Sequence, residues 1–333
     1  MQHHKTKNVL YPRCFVIGDL HVTPDFLQKG GYETLKFIGD SAKTTTPDFI
    51  VLLGDLLDDH NKVDVLCHKA VYNLITELSC VAHTYIIIGN HDYIDGKQHL
   101  TDNHIFNPYK KWDSITIVDY PMLTVHKGKT FAFCPYVPEG KLISSLGELS
   151  REGDVWEFAD AVFAHTDPLS PLDKWDNSYP PIITGHRHDS YTKGKIYMCG
   201  SVRNVNFGDL GEKYLWIFRF SNSGVGFKKI PVPNQTKKVV EVTVSAFVGD
   251  SDALSNLDSN TKLKITGTRT EISEIKKSKN YSELVKSGVK ISPVINEKYI
   301  RHNLSKETFS ETLKNVVSTK SKNIQDTYSG LWG

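Results

Sequence analysis

Nine side chains in this sequence combine into one chemical opportunity: the carboxylates Asp19, Asp55 and Asp58, the amide Asn90, and the imidazoles His21, His91, His165, His186 and His188. They fall in short motifs that read Asp19-Leu20-His21, Gly54-Asp55-Leu56-Leu57-Asp58, Gly89-Asn90-His91-Asp92, a lone His165, and Gly185-His186-Arg187-His188. Oxygen and nitrogen donors in that number can hold two divalent cations side by side and leave one histidine for proton work. Hydrolysis of a phosphate ester is the reaction such a site performs best. Singly, each motif reads equally well as a turn or a satisfied core histidine. Asn90 stands apart, because asparagine suits a buried strand end only when its carbonyl oxygen has a ligand. His186 and His188 would project to the same side of an extended segment and so reach one site.

The elements that must position these residues are legible as apolar runs. Cys14–Ile17, Phe49–Leu53, Tyr85–Ile88, Ala161–Ala164, Ile182–Thr184 and Ile196–Met198 suit strands buried on both faces. Ser114–Val118, Thr130–Phe133 and Tyr214–Phe220 read as further strands. Each motif begins where such a run ends, which is where loops converge on ligands in α/β sheets. Val63, Leu66, Val71, Leu74, Ile75 and Leu78 recur at helical spacing, and this stripe faces either the protein's own sheet or a second copy.

Composition bounds the rest. With 333 residues, 39% of them hydrophobic, the chain can bury a core and hold about two domains. The start lacks the apolar core of a signal peptide and no stretch approaches ~18 uninterrupted apolar residues, so a cytoplasmic protein without a membrane span is expected. Cys14, Cys67, Cys80, Cys134 and Cys199 are scattered and odd in number, as free thiols in a reducing compartment would be. Residues 1–227 carry 22 Lys/Arg against 27 Asp/Glu, while 228–333 carry 18 against 11. The basic final third would suit a polyanionic partner, although a lysine excess is also ordinary solvated surface.

The pattern changes around Pro231–Gln235. The expected domains are therefore 1–230, a small α+β unit over 231–300, and a C-terminal segment over 301–333. Within the small unit, strands are expected at Lys238–Val244, Lys262–Thr268 and Val289–Val294, with helices at Asp252–Leu257 and Glu271–Lys279. In the last segment Phe309, Leu313, Val316 and Val317 would line one face of a short helix, to be laid on a partner or on the chain itself.

The order D-x-H, G-D-x-x-D, G-N-H-D, H, G-H-x-H, running from Asp19 to His188, resembles the calcineurin-like metallophosphoesterases. The resemblance implies an α/β fold, a β-sandwich flanked by helices. It also implies that Asp19, His21 and His188 hold one metal, that Asn90, His165 and His186 hold the other, and that Asp55 bridges them. His91 would be the non-ligand acid and Asp58 the carboxylate that orients it, while Asp92 fixes its loop. The expected ions are two divalent cations, manganese by resemblance, with iron, zinc or magnesium as other candidates. The other histidines, His60 among them, match no motif position.

Finer features resemble one branch of that superfamily. The arginine that protein phosphatases place after the G-D-x-x-D carboxylate is replaced by Asp59. Met198-Cys199-Gly200-Ser201, followed by Phe207-Gly208-Asp209 and Lys213, looks like a segment of SbcD-type nucleases, which carry a dimerisation helix near Val63–Leu78 and a small DNA-capping domain. The resemblance implies a DNA nuclease, forming a homodimer and paired with a separate SbcC-like ATPase, since this chain has no phosphate-binding loop of its own. A phosphodiesterase of cyclic nucleotides or dinucleotides is the alternative, and a scaffold with a degenerate site is a third reading.

Overall fold

The β-branched and aromatic runs become strands closed to water on both faces. In a computed structural model, which describes residues 11–60, 62–151, 155–209, 211–233, 237–249, 254, 257–296, 317–318 and 322, β1 (Arg13–Ile17), β2 (Phe49–Leu52), β3 (His83–Ile87) and β4 (Ile115–Val118) lie parallel. A later strand, β11 (Tyr214–Ser221), adds to β1 antiparallel, and β12 (Gly224–Pro231) adds antiparallel to β11, giving a six-stranded sheet in the order β12-β11-β1-β2-β3-β4.

A second six-stranded sheet takes β5 (Met122–His126), β6 (Lys129–Cys134), β7 (Ala161–His165), β8 (Ile182–Gly185), β9 (Tyr191–Lys193) and β10 (Ile196–Met198) in the order β5-β6-β7-β8-β10-β9. Phe49, Val51 and Phe218 from the first sheet meet Phe131, Phe133 and Phe163 from the second in one buried cluster. The fold class is thus the expected mixed α/β sandwich. Strands β5, β9 and β12 are not legible in the sequence, because their residues are half-exposed and polar at every second or third place.

Helices close the outer faces. On the first sheet lie α1 (Tyr32–Thr45) and α2 (Val65–Val81). Helix α2 begins where the Asp64 carboxylate accepts from the amides of Leu66 and Cys67, at 2.9 and 3.0 Å. Its stripe of Val71, Leu74, Ile75 and Leu78 is at most 3% exposed and belongs to the core beneath it. At ~1.5–3 kcal/mol for each buried side chain, that packing holds the helix to its own sheet. The apolar stripe is therefore buried within the chain, the first of the two partners its periodicity allows; Val63 and Leu66 of that set stay exposed. On the second sheet α3 (Leu142–Arg151) buries Leu142, Leu146 and Leu149.

The chain divides into two compact units, Met1–Val239 and Val240–Gly333, later than the Pro231–Gln235 break suggested by composition. Around the second unit's start, β13 (Lys238–Thr243), β14 (Thr261–Gly267) and β15 (Lys290–Ile295) form a three-stranded sheet with β14 central and parallel to β15. Helices α4 (Val244–Gly249), α5 (Arg269–Ile275) and α6 (Lys279–Lys286) pack on it through Phe247, Ile272, Ile275 and Leu284. Helix α4 precedes the Asp252–Leu257 helix expected from the sequence, most of which lies outside the described residues. Phe309, Leu313 and Val316 also lie outside them. Among the described residues no helix is long and apolar enough to cross a membrane.

Candidate metal centre

Five loops bring the nine side chains to one rim of the sandwich. Asp19 and His21 follow β1, Asp55 and Asp58 follow β2, Asn90 and His91 follow β3, His165 ends β7, and His186 and His188 follow β8. The loops are locked to one another by backbone bonds. Leu20 and His21 donate their amides to the Asp55 carbonyl at 3.1 and 2.9 Å. The buried Asp92 carboxylate accepts from the amides of Asp55, Leu56 and Gly89 at 2.8–2.9 Å, so it ties the second loop to the third. Glycines permit this closeness: a methyl group on Gly89 would strike the Asp55 carboxylate, and one on Gly185 would strike Asp19.

Three overlapping donor groups result, two of which coincide with the expected ligand sets. Asp19, His21 and His188 each offer a ligand atom within 4.8 Å of the others, and Asp55, His165 and His186 do the same. Asn90 joins the second group, with its Oδ1 3.1 Å from His165 Nε2 and 3.0 Å from His186 Nδ1. Asp55 stands between the groups, its Oδ2 3.3 Å from His165 Nε2 and 3.5 Å from His21 Nε2. All seven residues expected as ligands are brought together. His91 forms the third group with His21 and Asp55, its ligand atom within 4.8 Å of theirs.

The donors are oriented for cations. His165 Nδ1 lies 2.7 Å from the Leu53 carbonyl, which can only accept, so Nδ1 carries the hydrogen. The His165 Nε2 faces two oxygens, those of Asn90 and Asp55, an arrangement that either a proton on Nε2 or a cation among the three atoms satisfies. His21 and His188 face each other through their Nε2 atoms at 3.2 Å, each with its Nδ1 held by a carboxylate at 2.9 Å: Asp58 for His21, Asp209 for His188. Fixing the far nitrogen in this way is how metal-binding imidazoles are set. The residues fit two divalent cations.

Asp58 differs from its expected role. Its carboxylate holds His21, and only its backbone carbonyl meets His91, at 2.5 Å from Nδ1. The cause is the bridge between Val22 and Leu57, which lays the second loop along the first and brings Asp58 to His21. His91 is instead framed by rings, edge-on to His21 at 4.8 Å and stacked on His60 at 4.7 Å. His60 in turn is anchored to the Tyr93 carbonyl at 3.2 Å.

Electrostatics reflect the crowding of charge without metal. Burial raises Asp19 and Asp92 to about 7. Burial would also raise Asp55, but His165, by charge and hydrogen bond, holds it far below the usual carboxylate range. Burial would depress His165, yet Asp55 and Asp19 beside it keep it up at about 9. His186, buried and facing His165, falls to about 4.

Four residues of this site carry no role that the sequence alone assigns: His60, Arg203, Asp209 and Lys213. Buried Arg203 donates Nε to the Leu20 carbonyl at 2.9 Å and a second nitrogen to the His21 carbonyl, pinning the first loop. Lys213, 2% exposed, donates to the His188 carbonyl at 2.9 Å. Arg203 and Lys213 are visible only as charges in an apolar neighbourhood, a signal that needs the fold before it can be read. A cleft of about 360 Å³ opens over the first group, lined by His21, Asp58, His91, His188, Arg203 and Lys237 among others.

"Putative phosphoesterase 244L" of Invertebrate iridescent virus 6 is 29% identical over 225 residues, 63% of this chain and 78% of that protein. "Putative phosphoesterase 078R" of Invertebrate iridescent virus 3 is 28% identical over 256 residues, 74% of each. A crystal structure of a dimetal phosphatase from Danio rerio overlaps with a TM-score of 0.40 at 14% identity, covering 67% of this chain and 99% of that one. Residues 12–217, which take in every loop of the metal centre, match the calcineurin-like phosphoesterase family. The chain belongs to that family.

Proposed function

We propose that this phosphoesterase is a two-metal DNA nuclease, loaded with manganese and acting as the nuclease subunit beside a separate SbcC-like ATPase. The observation that carries the reading is the pairing of two cation-ready donor groups, Asp55 between them, with the imidazole of His91 beside them, held through Nδ1 by the Asp58 carbonyl. Support for DNA comes from the resemblance of the Met198–Lys213 segment to SbcD-type nucleases, from Asp59 in place of the protein-phosphatase arginine, and from the basic balance of residues 228–333.

When bound, two divalent cations supply Lewis acidity, polarising the phosphate and activating water. The chain's own residues do the rest. Asp55 sets the spacing of the two groups through its contacts with His21 and His165. Asp58 and Asp209 fix the tautomers of His21 and His188, so both Nε2 lone pairs face inward. His91, with its Nδ1 hydrogen on the Asp58 carbonyl, exchanges a proton at Nε2 and delivers it to the leaving oxygen.

The test is manganese-dependent hydrolysis of linear duplex DNA, single-stranded DNA, a cyclic nucleotide, a dinucleotide and bis-p-nitrophenyl phosphate. The reading expects DNA to be cut, with the activated diester as a slower general substrate. Cleavage of the cyclic nucleotide or dinucleotide with DNA left intact would overturn the DNA assignment in favour of a small-molecule phosphodiesterase. No hydrolysis with any metal would overturn both and favour a scaffold. The ATPase partnership is tested separately by truncation after Arg301, which should abolish pull-down of an SbcC-like subunit and spare hydrolysis. A homodimer is tested by light scattering of the full chain.

A further inference from the structure

At the end of β1 opposite Asp19, the described residues leave the outer face of the first sheet open beyond the last turn of α1. Arg13 in β1 lies directly across from Arg219 in β11, and Ile217, two residues before Arg219, lies across from Lys228 in β12. Residues paired across an antiparallel ladder share a face, as do residues two apart along a strand. Arg13, Arg219 and Lys228 therefore all project from one face. Gly226 sits across from Arg219 and leaves the floor without a side chain. The result is a cleft of about 530 Å³, walled on one side by Thr44 and Thr45.

Three features point to an anionic ligand. Two arginines directly opposed on a ladder repel each other, which is a standing cost to the sheet. The carboxylate nearest Arg13, that of Asp48, is engaged by the Arg13 amide at 2.8 Å and by Lys127 at 2.6 Å, while among the described residues Arg219 and Lys228 have no ion-pair partner. The Arg13 guanidinium is already held in place, with Nη1 donating to the Thr45 carbonyl at 2.7 Å and its other donors left for a ligand. The volume lies within the ~300–1,000 Å³ usual for sites of nucleotide size.

We propose that this cleft binds the phosphate of a nucleotide, free or carried in a nucleic-acid strand. It is a second site and not an arm of the metal centre, since the length of β1 alone, roughly 13 Å at ~3.3 Å per residue, lies between them. The proposal does not depend on which ester the metal centre cuts.

Binding is measured on the full chain in EDTA, which removes the metal centre's affinity for phosphate. The probes are adenosine monophosphate by calorimetry and a labelled single-stranded oligonucleotide by fluorescence anisotropy. The double variant Arg219→Glu/Lys228→Glu should weaken binding by about tenfold for each charge-assisted hydrogen bond to phosphate that it removes. For the oligonucleotide, the slope of log K against log salt should also fall by about 0.7 for each phosphate no longer neutralised. Both probes binding, in competition, identifies a free-nucleotide site; the oligonucleotide alone identifies a track for a strand. Manganese-dependent hydrolysis of bis-p-nitrophenyl phosphate should be unchanged in the variant. If the charge reversal unfolds the protein, Arg219→Gln/Lys228→Gln gives the same reading with smaller losses. The proposal is overturned if neither probe binds the wild type, if a folded variant binds as the wild type does, or if the diester activity falls together with binding.

Discussion

Asp209 offers a graded test of how the first cation position is built. Its Oδ2 accepts from His188 Nδ1 at 2.9 Å and from the Asn206 amide at 2.8 Å, so one oxygen orients the imidazole while the loop steadies that oxygen. An asparagine in its place can keep both bonds through its single oxygen and loses only the charge. A charged hydrogen bond is worth about 1.5–3 kcal/mol and a neutral one about 0.5–1.5, a difference of about 1–1.5 kcal/mol. The His188 and Asp209 side chains are 21% and 14% exposed, and that partial solvation argues for the lower half of the range. Asp209→Asn should therefore weaken metal binding at this position by roughly fivefold. Asp209→Ala removes both bonds and frees the ring, and should cost ~10–100-fold, the range for residues that support metal ligands. Calorimetric titration of the chelator-stripped protein with manganese should show two sites, with only one weakened in the order wild type, Asn, Ala. Equal weakening of both sites, or alanine behaving like asparagine, would refute the orientation argument.

Replacing Asp55 with asparagine removes the negative charge between the two groups and should abolish hydrolysis while the far-ultraviolet circular dichroism stays native. His91→Ala should bind two metals normally and lose ~10²–10⁴-fold in rate on a substrate with an alkoxide leaving group, with a much smaller loss on a p-nitrophenyl ester, which needs no proton; equal losses would remove it as the acid. His60→Ala, which takes away the ring stacked on His91, should show the same leaving-group dependence in weaker form, and His60→Phe should restore the rate. In metal-free protein, His165 is raised to about 9 against ~6.5 unfolded, so its contribution is complete below that value and is lost as pH rises through the folded one. Asp19 and Asp92, raised to about 7, act in the same direction between ~4 and 7, opposed there by the depressed His186. Above pH 7 the opposition has ended, and the Tm of the chelated protein should fall from pH 7 to 9 while the gain on adding manganese grows; a flat profile would contradict it.

The strands that carry the metal loops were legible because burial on both faces demands unbroken apolar runs, as in Phe49–Leu52 and Ala161–His165. The ligands were legible through the order of their motifs at the ends of these runs and the family that this order resembles; singly, only Asn90 departs from what a strand end ordinarily holds. Strand β12 was hidden, since it lies at a sheet edge and needs only one apolar face; its GVGFKKIP reads as a loop. The α2 stripe could be seen but not assigned, because helical periodicity reports that a face is buried and not what buries it. The role of Asp58 was misplaced for a related reason. The resemblance implies that a carboxylate three residues after Asp55 returns to the site, but the Val22–Leu57 bridge decides which imidazole it meets.

Backbone conformation at the ligands was beyond any reading of residue types. His21, Asp55 and His186 all adopt left-handed backbone, with φ of 44°, 49° and 79°. Glycine is the usual occupant of such positions, and a residue with a side chain costs ~1–2 kcal/mol there. Each is held by bonds from outside its own loop. The Asp55 amide is gripped by Asp92, the His21 amide by the Asp55 carbonyl, and the His186 amide by both oxygens of Asp19 at 3.0 and 3.2 Å. Asp19 is therefore both a prospective ligand and the anchor of another ligand's backbone, so its loss should disturb both cation positions. Asp55 has the same double part, through its carboxylate between the groups and its carbonyl beneath His21. Strain of this kind persists where the surroundings over-determine the chain. Here it turns three side chains inward at the ends of strands whose regular geometry would have aimed them elsewhere.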